Sequence, residues 1–334
     1  MNALSASPSA PVLAIENLSV SFERGGRRIR AVRDVSLTLA PGEVVGLVGE
    51  SGSGKSVTMM SAVRLLDPRR ARIEARTLQV AGHSVLDLGK RELEDLRGPT
   101  VSYIFQDPLT ALNPLLTIGR QITEGLRRHR GLSREGARAR AIELLGNVGI
   151  PAPDLRVRQL PHQLSGGMRQ RAMIAMALAL APKLLIADEP TTALDVTVQA
   201  EIVRLVQRIQ REEGMAMVWV THDLALLARL AGRIVVMYGG RIVEDAAAER
   251  LYETPAHPYT AGLLASTSRL DIPFRDQKPI PGSPPDPGED IRACAFAPRC
   301  SRATDECRTA VPPLRPVAKA QSVACFHPLT DDRA

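Results

Sequence analysis

Short apolar runs alternate with longer amphipathic stretches along most of this chain. Val44-Val45-Gly46-Leu47-Val48 is one such run, and residues 101–105, 184–187 and 216–220 are similar. Each is short, rich in aliphatic and β-branched residues and bounded by polar or turn-forming positions, which predicts strands buried on both faces. Residues 56–66, 167–180 and 196–213 lie between them with helical patterning. This alternation predicts an α/β domain with a mainly parallel sheet.

Residues 107–163 break the alternation. They hold no strand-like run, while Ala141, Leu144, Leu145 and Val148 follow i, i+3, i+4, i+7 spacing behind an N-cap candidate, Ser133. A helical insertion is predicted there. From Asp271 the pattern changes again, with Pro273, Pro279, Pro281, Pro284, Pro285 and Pro287 punctuating a linker that precedes all four cysteines. The expected organisation is a disordered leader over 1–11, one large domain over 12–270, and a linker with a small Cys-rich region over 271–334.

Composition sharpens this picture in two ways. Aromatics make up only 3% of the 334 residues, so the core is aliphatic and each aromatic is informative. The net charge of +7 raises nucleic acid as a partner. However, the densest set (Arg127, Arg128, Arg130, Arg134, Arg138 and Arg140) has helical spacing and reads as a solvated face, so no nucleic-acid partner is expected. No run approaches the roughly 20 apolar residues of a membrane span. Residues 1–11 lack the basic-then-apolar order of a secretory signal. The expectation is a cytoplasmic protein that reaches any membrane through a partner.

Gly49-Glu50-Ser51-Gly52-Ser53-Gly54-Lys55-Ser56, followed by Val57, places G-x-x-x-x-G-K-[ST] after a predicted strand and at the start of a predicted helix. Glycines let backbone N–H groups approach phosphate oxygens, and the helix N-terminus adds positive potential. Lys55 is the candidate for the β- and γ-phosphates and Ser56 for Mg²⁺. The apolar run 184–187 ends in Asp188 and Glu189, the first a candidate near magnesium, the second a candidate base for the attacking water. ATP and Mg²⁺ are the expected ligands.

Leu164-Ser165-Gly166-Gly167-Met168-Arg169-Gln170 resembles the signature motif of ABC ATPases. The resemblance implies a P-loop NTPase (RecA-like) nucleotide-binding domain with an inserted α-helical subdomain. It further implies that Ser165, Gly166, Gly167 and Gln170 act in trans on ATP held by a second ABC ATPase subunit, identical or homologous. Gln106 then matches the Q-loop glutamine that touches the metal, and Ala193-Leu194-Asp195 resembles the D-loop, with Asp195 at the dimer interface. His222, in Thr221-His222-Asp223, matches the switch histidine on the γ-phosphate. Phe22, on a predicted strand over 18–22, matches the aromatic that stacks on adenine.

Gln106-Asp107-Pro108-Leu109-Thr110-Ala111-Leu112-Asn113-Pro114 and His257-Pro258-Tyr259-Thr260 resemble the oligopeptide/dipeptide importer branch. That branch implies two integral-membrane permease subunits, an extracytoplasmic solute-binding protein and a place on the cytoplasmic face of the membrane. Cargoes other than peptides (a metal chelate, glutathione, an oligosaccharide) and a non-transport ABC ATPase are the alternatives. Cys294, Cys300, Cys307 and Cys325 form C-x5-C-x6-C-x17-C, a spacing that leaves Zn²⁺ and an iron–sulfur cluster both open. The family resemblance implies a [4Fe–4S] cluster, with His327 a candidate substitute ligand.

Overall fold

The structure, a computed structural model, describes residues 10–191, 196–266, 280–286 and 288–329, excepting the side chains of Arg24 and Val196. Most of the 1–11 leader, the D-loop residue Asp195 and much of the proline-rich linker lie outside the described residues.

The chain begins with β1 (Leu13–Arg24), β2 (Arg27–Leu39), β3 (Val44–Val48), α1 (Lys55–Ala62), β4 (Ala71–Glu74), β5 (Thr77–Val80), β6 (His83–Ser84), α2 (Lys90–Leu96) and β7 (Val101–Ile104). A helical stretch follows: α3 (Pro108–Ala111), α4 (Ile118–Arg130), α5 (Arg134–Asn147), α6 (Pro153–Arg156) and α7 (Gly166–Leu178). Alternation then resumes with β8 (Leu184–Asp188), α8 (Val196–Glu213), β9 (Ala216–Thr221), α9 (Leu224–Leu227), β10 (Arg233–Tyr238), β11 (Arg241–Ala247), α10 (Ala248–Glu253) and α11 (Pro258–Ser266). The C-terminal region adds α12 (Asp305–Thr309), β12 (Arg315–Ala318) and β13 (Gln321–Val323). Among the described residues no helix is long and apolar enough to cross a membrane.

Two compact units are present, one drawn from Met1–Leu13, Leu39–Glu43 and Val80–Val218, the other from Ala14–Thr38, Val44–Gln79 and Trp219–Ala334. In the first, β7 and β8 run parallel, with Val101 opposite Leu184 and Ile104 opposite Ala187. All five β8 residues are buried, Leu184 to Ala187 as an uninterrupted apolar run requires and Asp188 at its end. The described residues of 107–163 hold helices and no strand. Thr117 caps α4 by accepting from the Arg120 N–H, and Ile118, Ile122 and Leu126 form its buried stripe. Ser133 caps α5 by accepting from the Gly136 N–H at 3.1 Å. The arginines on these helices make surface ion pairs, Arg128 with Glu94 and Asp95 and Arg140 with Glu143, and such pairs are individually weak.

In the second unit β3 and β10 are parallel, with Val45 opposite Arg233 and Val48 opposite Val236. β10 and β11 are antiparallel, β13 pairs antiparallel with β11, and β12 with β13. The C-terminal strands thus continue the sheet that carries β3. A second sheet is built on β1, flanked by β2 and β5 with β4 antiparallel to it. Gly25 and Gly26, both at positive φ (56° and 73°), make the two-residue turn from β1 to β2, where a side chain would be strained. Val35, Leu37 and Leu39 alternate with exposed Ser36 and Thr38 along β2, the mark of a sheet with one wet face.

The C-terminal region is anchored through Glu244, a fully buried carboxylate on β11. It accepts from the N–H groups of Ala256 and His257 and from the Gln321 amide at 2.8–2.9 Å, so three donors replace its lost water. His257 is itself fully enclosed; its Nδ1 accepts from the Tyr259 N–H at 3.0 Å and its ring faces Phe296. Burial pushes the imidazole pKa down to about 3, so it is neutral in the fold. In the unfolded chain it titrates near 6.5. Between those values the unfolded state binds the extra proton, so this contribution to stability is intact above about pH 6.5 and lost as pH falls. Acidification from pH 7 to 5 is expected to cost about 2 kcal/mol through this one group. Urea denaturation at the two pH values checks this: the drop should be smaller in His257→Asn, which keeps an acceptor and does not titrate, and an equal drop in both proteins would contradict it.

Candidate nucleotide site

Two close backbone approaches determine the loop after β3. Gly49 has φ 152°, and a Cβ there would lie 2.2 Å from the Met237 carbonyl oxygen, so no other residue fits. Gly54 caps α1 at φ 99°, with the Ala31 carbonyl oxygen 2.6 Å from its ideal Cβ. Gly52, at φ 79°, faces open space. Within this loop the buried Lys55 donates to the carbonyls of Gly49 (2.8 Å) and Glu50 (3.0 Å) and lies 3.5 Å from Ser53 Oγ. Ser51 is exposed, Ser53 buried, and Ser56 and Val57 half-buried on the first turn of α1. The structure therefore gathers Gly49, Ser53, Gly54 and Lys55 into one cradle. In the same unit, Phe22 is half-buried opposite Ala71 of β4. His222 is exposed just past β9, and Asp223 caps α9 by accepting from the Leu226 N–H.

The carboxylates belong to the other unit. Asp188 ends β8 buried, and the Tyr103 hydroxyl donates to its Oδ2 at 2.7 Å. Burial first, then the Asp188 charge, hold the Tyr103 pKa far above its ordinary value, so Tyr103 stays a donor. Glu189 has φ 45°, a left-handed conformation that costs a non-glycine residue about 1–2 kcal/mol. Its Oε2 accepts from Gln106 Nε2 at 3.1 Å, so two sequence-predicted residues 83 positions apart are in contact.

Ser165 caps α7 by accepting from the Met168 N–H, and both Ser165 and Gly166 are exposed at the helix start, with Gly167 half-buried. Gln170 departs from the expectation that groups it with them. It is buried, and its amide donates to the Pro190 carbonyl of the same chain. The reason is helical geometry: five residues at 100° each turn position 170 well away from the face that begins at Ser165. Gln170 thus secures the turn that follows Glu189.

Cys294, Cys300, Cys307 and Cys325 carry free thiols and line one cavity with Phe296, Phe326 and His327. Burial pushes the Cys294 thiol up and the Cys325 thiol up to about 11, with the other cysteines adding to each shift. Among the described residues no group of three or more His, Cys, Asp or Glu is arranged to hold a metal ion. His327 Nε2 is 2.9 Å from the Thr304 hydroxyl. Four thiols lining one cavity are donors of the kind a thiophilic group takes.

Three residues to which the sequence assigned no site role hold these groups: Tyr103 on Asp188 in one unit, and Tyr259 and Arg299 on Glu50 in the other. The Glu50 N–H donates to Tyr259 Oη at 2.9 Å, and the Arg299 guanidinium makes a two-pronged pair with the Glu50 carboxylate at 2.7 and 3.1 Å. The scarcity of aromatics was the available signal for both tyrosines; nothing local marked Arg299.

A strand–loop–helix phosphate cradle in one unit, and an acid-ended strand with a Ser-capped Gly-Gly helix start in the other, are together the parts of an ATP-binding cassette. The chain belongs to the ABC transporter family of ATP-hydrolysing cassettes: residues 32–192 match the family model described as ABC transporter. Residues 243–307 match a second, described as the C-terminal region of oligopeptide/dipeptide transporters. A Brucella melitensis protein named for peptide import and ATP binding is 50% identical over 95% of this chain and 97% of its own. A Brucella abortus protein of like name is 49% identical over 90% of each chain. Among solved structures, the ATP-binding cassette MJ0796, as a dimer in a post-hydrolysis state with ADP and phosphate, shares 31% identity at a TM-score of 0.63, covering 71% of this chain and 98% of that one. The cbiO1 protein of Clostridium perfringens, part of the cbiONQ transporter complex, gives 25% identity and a TM-score of 0.59, with coverage of 72% and 90%.

Proposed function

We propose that this cassette powers the import of di- or oligopeptides, as one of two ATPase subunits beneath a pair of integral-membrane permeases served by an extracytoplasmic solute-binding protein. Its relatives' names and the matched C-terminal region support the cargo. The observation that carries the catalytic reading is the Gln106–Glu189 hydrogen bond, which sets an amide against the carboxylate best suited to take a proton from water.

In this reading the Gly49–Ser56 loop and Lys55 hold the β- and γ-phosphates, with Ser51, Gly52, Ser53, Gly54 and Val57 lining their path and Phe22 stacking on adenine. Ser56, Gln106 and Asp188 are oxygen donors of the kind Mg²⁺ takes, and that ion would spread phosphate charge. Tyr103 orients Asp188 by donating to its Oδ2. Glu189 accepts the proton of the attacking water, and His222 contacts the γ-phosphate. Ser165 and Gly166, exposed at a helix N-terminus, suit phosphate held by a second cassette, and Asp195 belongs at that junction. Leu109 and Leu115, 58% and 85% exposed just beyond Gln106, offer the apolar surface a permease loop needs. ATP binding then favours the closed pair and hydrolysis the open one, an exchange between two states that the permease reads.

The cavity lined by Cys294, Cys300, Cys307 and Cys325 would hold a [4Fe–4S] cluster, for which four thiolates are the appropriate donors; Zn²⁺ is the competing occupant. In domain terms, residues 12–270 are the cassette, 107–163 its helical part and 271–334 the cluster-bearing extension.

Two outcomes are expected. Glu189→Gln should retain ATP binding while its turnover falls at least about 100-fold; steady-state phosphate release measures this, and unchanged turnover would remove Glu189 from its role. Protein purified without oxygen should be brown and carry about four irons per chain by elemental analysis. A colourless protein with one tightly held zinc would assign the cysteines to a single ion instead.

A further inference from the structure

The Cys-bearing segment and the phosphate loop are joined by contacts that nucleotide chemistry alone does not explain. Arg299, adjacent to Cys300, has only 5% of its side chain exposed and spends its guanidinium on the loop and its surroundings. It donates to both carboxylate oxygens of Glu50, to Tyr238 Oη at 3.2 Å, and to the carbonyls of Pro281 and Ile280 at 2.8 and 3.3 Å. The pair with Glu50 holds the Arg299 pKa above its usual range. Glu50 follows Gly49, whose backbone lies too close to the Met237 carbonyl for any Cβ, and its own carbonyl receives the Lys55 ammonium.

A second link runs beside it. Gly239, at φ 55°, lies so close to the residue next to Cys294 that a Cβ would sit 2.7 Å from the Ala295 methyl. The next residue, Gly240, donates its N–H to the Ser53 carbonyl at 3.1 Å. Phe296 fills the space between, its ring edge-on to Tyr238 and tilted against Tyr259. The segment carrying Cys294 and Cys300 therefore meets the phosphate loop directly at Glu50, and lies against the Gly239-Gly240 turn whose N–H holds Ser53.

We propose that Arg299 is a positioning residue for the phosphate-binding loop, and that through it the state of the four-cysteine cavity and nucleotide binding are energetically coupled. This rests on the reading of Gly49–Ser56 as the nucleotide site. A forked Arg–carboxylate pair with a buried guanidinium is geometrically demanding, and removing the carboxylate leaves the buried charge uncompensated. Displacing Cys300 moves Arg299, and displacing Arg299 frees Glu50 and with it the carbonyl that holds Lys55. Coupling between two sites is reciprocal in free energy, so if the state of the cavity alters nucleotide affinity, bound nucleotide must in turn bias the state of the cavity. A lysine carries the charge without the fork.

The test uses the full-length protein as purified without oxygen. Its cysteines are alkylated with iodoacetamide, with and without saturating MgADP, and the rate at each of Cys294, Cys300, Cys307 and Cys325 is read by mass spectrometry. MgADP affinity is measured by calorimetry. MgADP is expected to slow alkylation about 5-fold or more, a coupling of the usual size, and fully alkylated protein to bind MgADP more weakly. Arg299→Lys should still bind MgADP, more weakly, with the protection gone. Equal alkylation rates with and without MgADP in the unaltered protein would overturn the proposal, as would wild-type affinity and protection in Arg299→Lys. Failure of the unaltered protein to bind MgADP would instead overturn the nucleotide-site reading.

Discussion

The approach of one backbone to another at Gly49 is the constraint on which the site depends. Parallel pairing of β3 with β10 brings the chain out of the sheet beside Met237, and the absence of a Cβ at Gly49 lets it turn against that carbonyl. Everything downstream in the loop follows from this turn. Lys55 can reach back to the carbonyls of Gly49 and Glu50 only because the chain has doubled over, and the first turn of α1 then opens at Gly54 with its N–H groups directed to the same place. The resulting cradle is held from behind as well, by Tyr259 on the Glu50 amide and Arg299 on its carboxylate.

This arrangement gives the Cys-rich region a physical place in the molecule. Its strands pair with β11, Gln321 reaches the buried Glu244, and Phe296 packs among Tyr238, Tyr259 and His257. The region lacks enough apolar residues to build a core alone, and the structure shows it borrowing one. His257-Pro258-Tyr259-Thr260, a motif with no obvious chemistry, is the joint: its histidine faces the extension and its tyrosine faces the phosphate loop.

Much of this was legible in the sequence, and what was not has identifiable causes. The loop 49–56, the buried strand ending in Asp188, the capped helices behind Ser133 and Ser165 and the helical character of 107–163 all come from local patterns that short-range physics enforces. The Gly25-Gly26 turn was a readable hairpin signal, but the arginine-rich flanks of β1 and β2 obscured the strand alternation around it. β12 and β13 are too short to announce themselves and exist because β11 offers an edge. Tyr103 and Arg299 depend on partners 85 and 249 positions away. Side-chain pairing at that range leaves no periodic trace in a single sequence.

The same loop allows a direct trial of the account. A crystal structure of the Glu189→Gln protein grown with ATP and Mg²⁺ should show the β- and γ-phosphates against the N–H groups of Gly52–Lys55, with the Lys55 ammonium turned onto phosphate oxygens and Ser165 of a second cassette facing the same γ-phosphate. Nucleotide bound elsewhere, with Lys55 still held only by the Gly49 and Glu50 carbonyls, would contradict it.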